Sequence, residues 1–160
     1  MPGQLEQPGM RADAVKRRRA AYTCLAALTL AFIWGNSLLP PEASWAVSEA
    51  VKSLLLALFP LGGGAGGEGT GLLGFLVRKG AHFTEFALLG ALLAARQRGL
   101  PGARTAPLLG SLLAALTDES IQYFTGRTSS VFDVWLDFAG AAAWMALAGG
   151  LTRLKKTGRE

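Results

Sequence analysis

The chain has 160 residues, of which 51% are hydrophobic and 17% charged, and its mean hydropathy is +0.33. A soluble domain of that length has no interior large enough for four long apolar runs, whereas a bilayer takes about 20 apolar residues per helix. The net charge of +5 does not point to nucleic acid, because the basic residues cap apolar runs without interleaved aromatics; the single cysteine, Cys24, excludes an internal disulfide framework.

In chain order, residues 1–19 read as a disordered basic tail ending in Lys16-Arg17-Arg18-Arg19. The run "AAYTCLAALTLAFIWGNSLL" follows and is predicted to span a membrane over about residues 20–39. A signal peptide is the competing reading. Its apolar core would exceed the usual ~7–15 residues, and no A-x-A site follows, so the first helix is expected to stay uncleaved. Trp34, Asn36 and Ser37 mark its far end, and Pro40-Pro41 stops it.

The next segment, "EASWAVSEAVKSLLLALF", has Val47, Val51, Leu54, Leu55 and Leu58 on one helical face. Too short and too charged to span, it is expected to lie on the membrane surface or to cap the bundle. A glycine-rich linker, "PLGGGAGGEGTG", leads to three more predicted spans, at about 72–95, 106–124 and 131–151, and then a basic tail over 152–160. The fold class expected is an all-α membrane protein: four transmembrane helices plus one amphipathic extracytoplasmic helix between the first and second.

Charge fixes an orientation. With both termini and the "RQRGLPGART" turn cytoplasmic, all of the 16 basic residues except Lys52, Arg78, Lys79 and Arg127 lie inside. Eight of the 11 acids then fall outside or in the outer half of the membrane.

The ionisable groups of the last three runs share one layer. The first of these runs starts with Lys79, His82 and Glu85, spaced so that neighbours share a helix face. The next finishes with Asp118, Glu119 and Gln122; Asp118 and Gln122 share a face, with Glu119 rotated by about 100°. The last starts with Asp133 and Asp137, again one turn apart. In alternating spans, start, finish and start lie on the same side. Charges at depth turn inward and pair, but Lys79 and Arg127 cannot balance five carboxylates. The surplus requires protonated carboxyls or a bound cation. Plainer roles compete: Lys79 and Arg127 as snorkelling anchors, Asp133 as a helix cap, and His82 as an interfacial residue. Small residues such as Gly90, Gly110, Ala114, Gly140 and Ala141 read as close helix packing.

The stretches "RKGAHFTEFALLGALL" and "LLAALTDESIQYFTGRTSSVFDVWLDFAGAAAW" resemble the VanZ-like family of small bacterial membrane proteins. The matching positions are Lys79, His82, Phe86, Asp118, Glu119, Gln122, Phe124, Arg127, Asp133, Asp137 and Gly140. Asp137 stands where many members have Asn. The likeness covers about residues 20–151.

The resemblance implies a multi-pass protein of the bacterial inner (cytoplasmic) membrane, with a cell-envelope role akin to glycopeptide (teicoplanin) resistance. It brings no assigned reaction. Two functions stay open. One is a site for an envelope lipid or lipid-linked precursor, with His82, Glu85, Asp118, Glu119 and Asp133 as catalytic candidates. In that reading Lys79, Gln122, Arg127 and Asp137 contact substrate, Lys79 and Arg127 by meeting phosphate. His82 and Glu85 form an acid/base pair, while Asp118, Glu119 and Asp133 could hold a divalent cation. The other is a non-enzymatic membrane scaffold or partner whose polar layer is a structural ion-pair network. Ser120, Ser129 and Ser130 have no triad setting, so no nucleophile stands out. The partners expected are membrane lipids, not nucleic acid.

Overall fold

Long stretches of helix-forming residues are interrupted only at proline and glycine. The computed structural model, which describes residues 8–58 and 68–157, is helical throughout those stretches. Five helices follow in order: α1 (Pro8–Leu38), α2 (Pro41–Leu58), α3 (Glu68–Gln97), α4 (Thr105–Phe124) and α5 (Val131–Thr157). No strand occurs among the described residues. Pro8 and Pro41 open α1 and α2, where a missing backbone N–H and a fixed φ suit a first helical position. Gly99 and Gly102 turn the chain between α3 and α4 at φ 74° and 68°, a region that residues with a Cβ rarely enter.

Three helices exceed their expected bounds, α3 by starting at Glu68 within the glycine-rich linker and ending at Gln97. Residues 8–19, read from the sequence as a disordered tail, continue α1, and α5 runs on to Thr157 through part of the basic tail. Arg, Lys, Met and Ala are strong helix formers, so a helix nucleated in an apolar run propagates outward through them. The sequence expectations for residues 1–7, for most of the glycine linker (59–67) and for 158–160 lie outside the described residues.

Helix α3 packs against all four others. Its closest approach is to α5, where glycines let the backbones meet. A Cβ added at Gly90 would stand 2.8 Å from the Ala141 Cα, and one at Gly140 would collide with the Phe83 carbonyl oxygen. Around this crossing the core is apolar, with Ile33 from α1, Phe86 and Leu89 from α3, Ala114 and Ala115 from α4, and Val134 from α5.

Towards one end the core turns polar: Ser37, Asp118, Glu119, Gln122 and Asp137 are all buried. Meanwhile Leu28, Phe32, Leu109, Leu113, Trp135 and Leu147 point outward. Charge inside and leucine outside is the reverse of what water selects. Helix α1 over Gly9–Leu38 and α5 over Val131–Ala148 are each long and apolar enough to cross a membrane. Among the described residues α3 and α4 do not reach that level. The opposite end of the bundle is basic. There Arg96 Nε donates to Thr23 Oγ1 at 2.9 Å, and the Arg19 guanidinium donates to the Arg98 carbonyl at 3.3 Å.

Candidate functional site

At the polar end, a cavity of about 510 Å³ lies between α2, the start of α3, the end of α4 and the start of α5. That volume is within the ~300–1,000 Å³ range of small-molecule sites. Helix α2 forms one wall with Trp45, Ser48, Glu49 and Lys52, so the amphipathic helix caps the bundle. Trp45 lies under the Arg78 guanidinium at 5.5 Å, and Lys52 pairs with Glu49 at 2.5 Å along its own helix.

The α4–α5 turn sets much of the geometry. Gly126, at φ 73°, ends α4: its N–H donates to the Tyr123 carbonyl at 3.2 Å, and the Arg127 N–H donates to the Gln122 carbonyl at 3.0 Å. These are the paired bonds of a Schellman stop, which needs the left-handed conformation that glycine adopts freely. The stop delivers Arg127 into the cavity, where its Nη1 donates to the Asn36 carbonyl at the end of α1 at 3.0 Å. Burial, and then the like charge of Arg78, pulls the Arg127 guanidinium below its ordinary pKa; it stays protonated at neutral pH. Ser130 then caps α5, its Oγ accepting the Phe132 N–H at 3.1 Å. The Ser130 N–H in turn donates to Glu119 Oε2 at 2.9 Å.

Each carboxylate has a different fate. Asp133 pairs with Lys79 Nζ at 2.5 Å, tying the starts of α5 and α3 together. Asp118 accepts two side-chain bonds, from Ser37 Oγ at 2.6 Å and from Gln122 Nε2 at 2.8 Å. Gln122 Nε2 also reaches Ser37 Oγ at 3.5 Å, and Thr125 Oγ1 donates to the Ser37 carbonyl at 3.2 Å, which locks the end of α1 onto α4. Asp137 is 1% exposed, and neither of its carboxylate oxygens has a hydrogen-bond partner. His82 Nδ1 is likewise buried and unpartnered, 3.8 Å from Asp118 Oδ2 and 4.0 Å from Asp137 Oδ1.

The fold therefore brings most of the residues singled out in the sequence to one place. Lys79, His82, Glu119, Gln122, Arg127, Asp133 and Asp137 line the cavity, and Asp118 lies fully buried behind His82. Glu85 stands apart: it neither lines the cavity nor bonds to His82, whose imidazole faces Asp118 and Asp137 instead. The three acids expected to share a cation are separated, since Glu119 is committed to the start of α5 and Asp133 to Lys79. Ser120 Oγ donates to the Leu116 carbonyl within its own helix.

Arg78 and Trp45 were not among the candidates from the sequence, and Asn36 and Ser37 figured there only at the far end of the first helix, in "FIWGNSLLP", which is similar to the serine-bearing first helix of the VanZ-like family. The end of the first apolar run, with its two adjacent polar residues Asn36 and Ser37, was the available signal for the latter pair. Arg78 and Trp45 gave none, because their meeting depends on how α2 docks.

No curated protein matches this chain, and no solved structure does. A family model does: VanZ/LLP1, over residues 21–152. That interval holds every helix end that builds the cavity and covers most of the chain. The chain thus belongs to the VanZ/LLP1 family, a family of membrane proteins akin to those of glycopeptide resistance.

Proposed function

We propose that the chain crosses the bacterial inner membrane four times, with both termini cytoplasmic, and that its extracytoplasmic cavity binds the phosphate-bearing headgroup of an envelope lipid or lipid-linked precursor. The observation that carries this reading is a pair of guanidiniums. Arg78 and Arg127 both line the cavity, and neither makes an ion pair among the described residues; the Arg78 Nε is buried and without a partner. Two guanidiniums without a carboxylate partner facing one cavity match a phosphate, which arginine can bind through parallel N–H bonds; Arg127 keeps donors to spare beyond its bond to the Asn36 carbonyl. Lys79, already neutralised by Asp133, serves more as a strut than as a phosphate ligand.

The outward leucines and aromatics of α1, α3, α4 and α5 support immersion in lipid, and the basic far end fits a cytoplasmic face. A ligand anchored in the bilayer by its tails would reach the cavity without leaving the membrane. The polar layer as pure scaffold has one specific support: the Lys79–Asp133 and Glu119–Ser130 contacts join helices. Those contacts use neither arginine.

The experiment is a binding titration of the purified, detergent-solubilised chain with a short-tailed polyprenyl phosphate, set beside the corresponding alcohol. Phosphate-dependent binding is expected, weakened roughly tenfold to a hundredfold in Arg78→Gln and Arg127→Gln, since a charge-assisted bond contributes about 1.5–3 kcal/mol. Equal affinity for phosphate and alcohol, or no loss in either variant, would overturn the headgroup reading. Headgroup-resolved lipid analysis and teicoplanin susceptibility of a deletion strain connect the binding to the envelope.

A further inference from the structure

Beneath the cavity, independently of what fills it, three side chains from three helices point at one another without touching. His82 comes from α3, Asp118 from α4 and Asp137 from α5, and one donor atom of each lies within 4.8 Å of the other two. The His82 Nδ1 separations of 3.8 and 4.0 Å exceed hydrogen-bond range, so a proton does not bridge these groups. They are instead slightly wider than the gaps around an ion, because two donors each about 2.0–2.2 Å from a shared tetrahedral cation stand about 3.3–3.6 Å apart, so a small inward movement of the three side chains closes the shell. We infer that His82, Asp118 and Asp137 bind a divalent transition-type cation, of the Zn²⁺ or Mn²⁺ class, at the floor of the cavity.

Four observations converge on this. First, Asp137 is 1% exposed with both oxygens unpartnered, and His82 Nδ1 is also buried and unpartnered. Such orphaned groups are rare in a folded interior, and here they are aimed at the same point. Second, Asp118 is held by Ser37 and Gln122, and hydrogen-bonded support of this kind orients a ligating carboxylate. Third, acids outnumber bases here. Glu49, Glu119, Asp133 and Asp137 line the cavity and Asp118 lies behind it, against Lys52, Arg78, Lys79 and Arg127, with Glu85 further off; a bound cation offsets that surplus. Fourth, His82 and Asp137 line the cavity while Asp118 lies behind them, so an ion would keep coordination positions open towards the cavity. One imidazole and two carboxylates suit zinc or manganese better than the all-oxygen shell that calcium or magnesium prefers.

The composition of the chain makes the test clean. His82 is its only histidine and Cys24 its only thiol. Tag-free full-length chain carrying Cys24→Ala is stripped with chelator in detergent and titrated with Zn²⁺ and with Mn²⁺. The expected result is one equivalent per chain of at least one of them, with a rise in unfolding temperature. Asp137→Asn is expected to lower affinity at least a hundredfold, and Ser37→Ala, which removes the hydroxyl that holds Asp118, about tenfold to a hundredfold. Glu42→Gln, on the exposed start of α2, should bind as the parent does. Nitrogen NMR of the single imidazole gives a readout that does not depend on any variant folding: zinc should move the Nδ1 resonance. Uptake of neither metal, wild-type affinity in Asp137→Asn, or bound zinc with an unmoved Nδ1 would each overturn the site.

Discussion

The Glu119 carboxylate stands at the C-terminal end of α4, where the helix dipole disfavours negative charge, yet it accepts the Ser130 N–H at the N-terminus of α5, where the dipole favours it. What is a conflict within one helix is resolved by the next. Glu119→Gln keeps an acceptor for that N–H and gives up only the charge–dipole contribution, about 0.3–1 kcal/mol. Glu119→Ala leaves the Ser130 N–H without its partner and is expected to lose about 1–3 kcal/mol. Thermal unfolding in detergent should therefore rank the parent and Glu119→Gln close together and Glu119→Ala clearly below. A Glu119→Ala protein as stable as the parent would show that the bond contributes nothing. The sequence revealed which residues were acidic and how deep they lay, because helical spacing fixes both. It did not reveal their partners. Glu119 with Ser130, and Asp118 with Ser37, are tertiary pairings 11 and 81 residues apart, and no spacing rule within one helix reaches them.

At the scale of the helices, glycine has opposite meanings at positions the sequence cannot tell apart. Gly80 and Gly140 both lie inside predicted spans. A Cβ on Gly80 meets nothing within 4 Å, whereas one on Gly140 meets the Phe83 backbone. Gly80→Ala should stabilise by roughly 0.5–1 kcal/mol, since alanine loses less backbone entropy in a helix. Gly140→Ala should lower the unfolding temperature by several degrees, because backbone cannot give way as a side chain can. Melting curves for the two variants test the pair, and a shift of the same sign in both would refute this account of the α3–α5 crossing. The helices themselves were legible from apolar periodicity, and Gly90 and Gly140 from their place among small residues. The outer ends of α1 and α5 were not, because basic residues signal a tail by charge and a helix by propensity, and here propensity prevailed.

For the molecule as a whole, the two ends differ in charge: Arg19, Arg96 and Arg98 gather at one, the buried carboxylates at the other. That segregation was the most legible property of the sequence, because it follows from where charges fall along four apolar runs rather than from any contact. The orientation it implies can be checked with single cysteines in a Cys24→Ala background. A membrane-impermeant thiol reagent on intact cells should label Thr128→Cys, in the exposed α4–α5 turn, and should reach Arg98→Cys only after permeabilisation. The opposite pattern would invert the topology. The depth of the cavity could not be read in advance, since it depends on α2 folding over the ends of its neighbours.

The unequal apolarity of the helices bears on how such a chain is made. In a four-span arrangement α1 and α5 have the length and apolarity to enter lipid, whereas α3, α4 and the start of α5 bring charged groups that cost a few kcal/mol each to insert unaccompanied. During synthesis α3 and α4 emerge before Asp133 and Ser130, the partners of Lys79 and Glu119, exist. In that arrangement the middle of the protein is expected to linger beside the insertion machinery until the last helix arrives to complete it. A nascent chain ending before Val131 should leave α4 open to protease where the finished protein shields it.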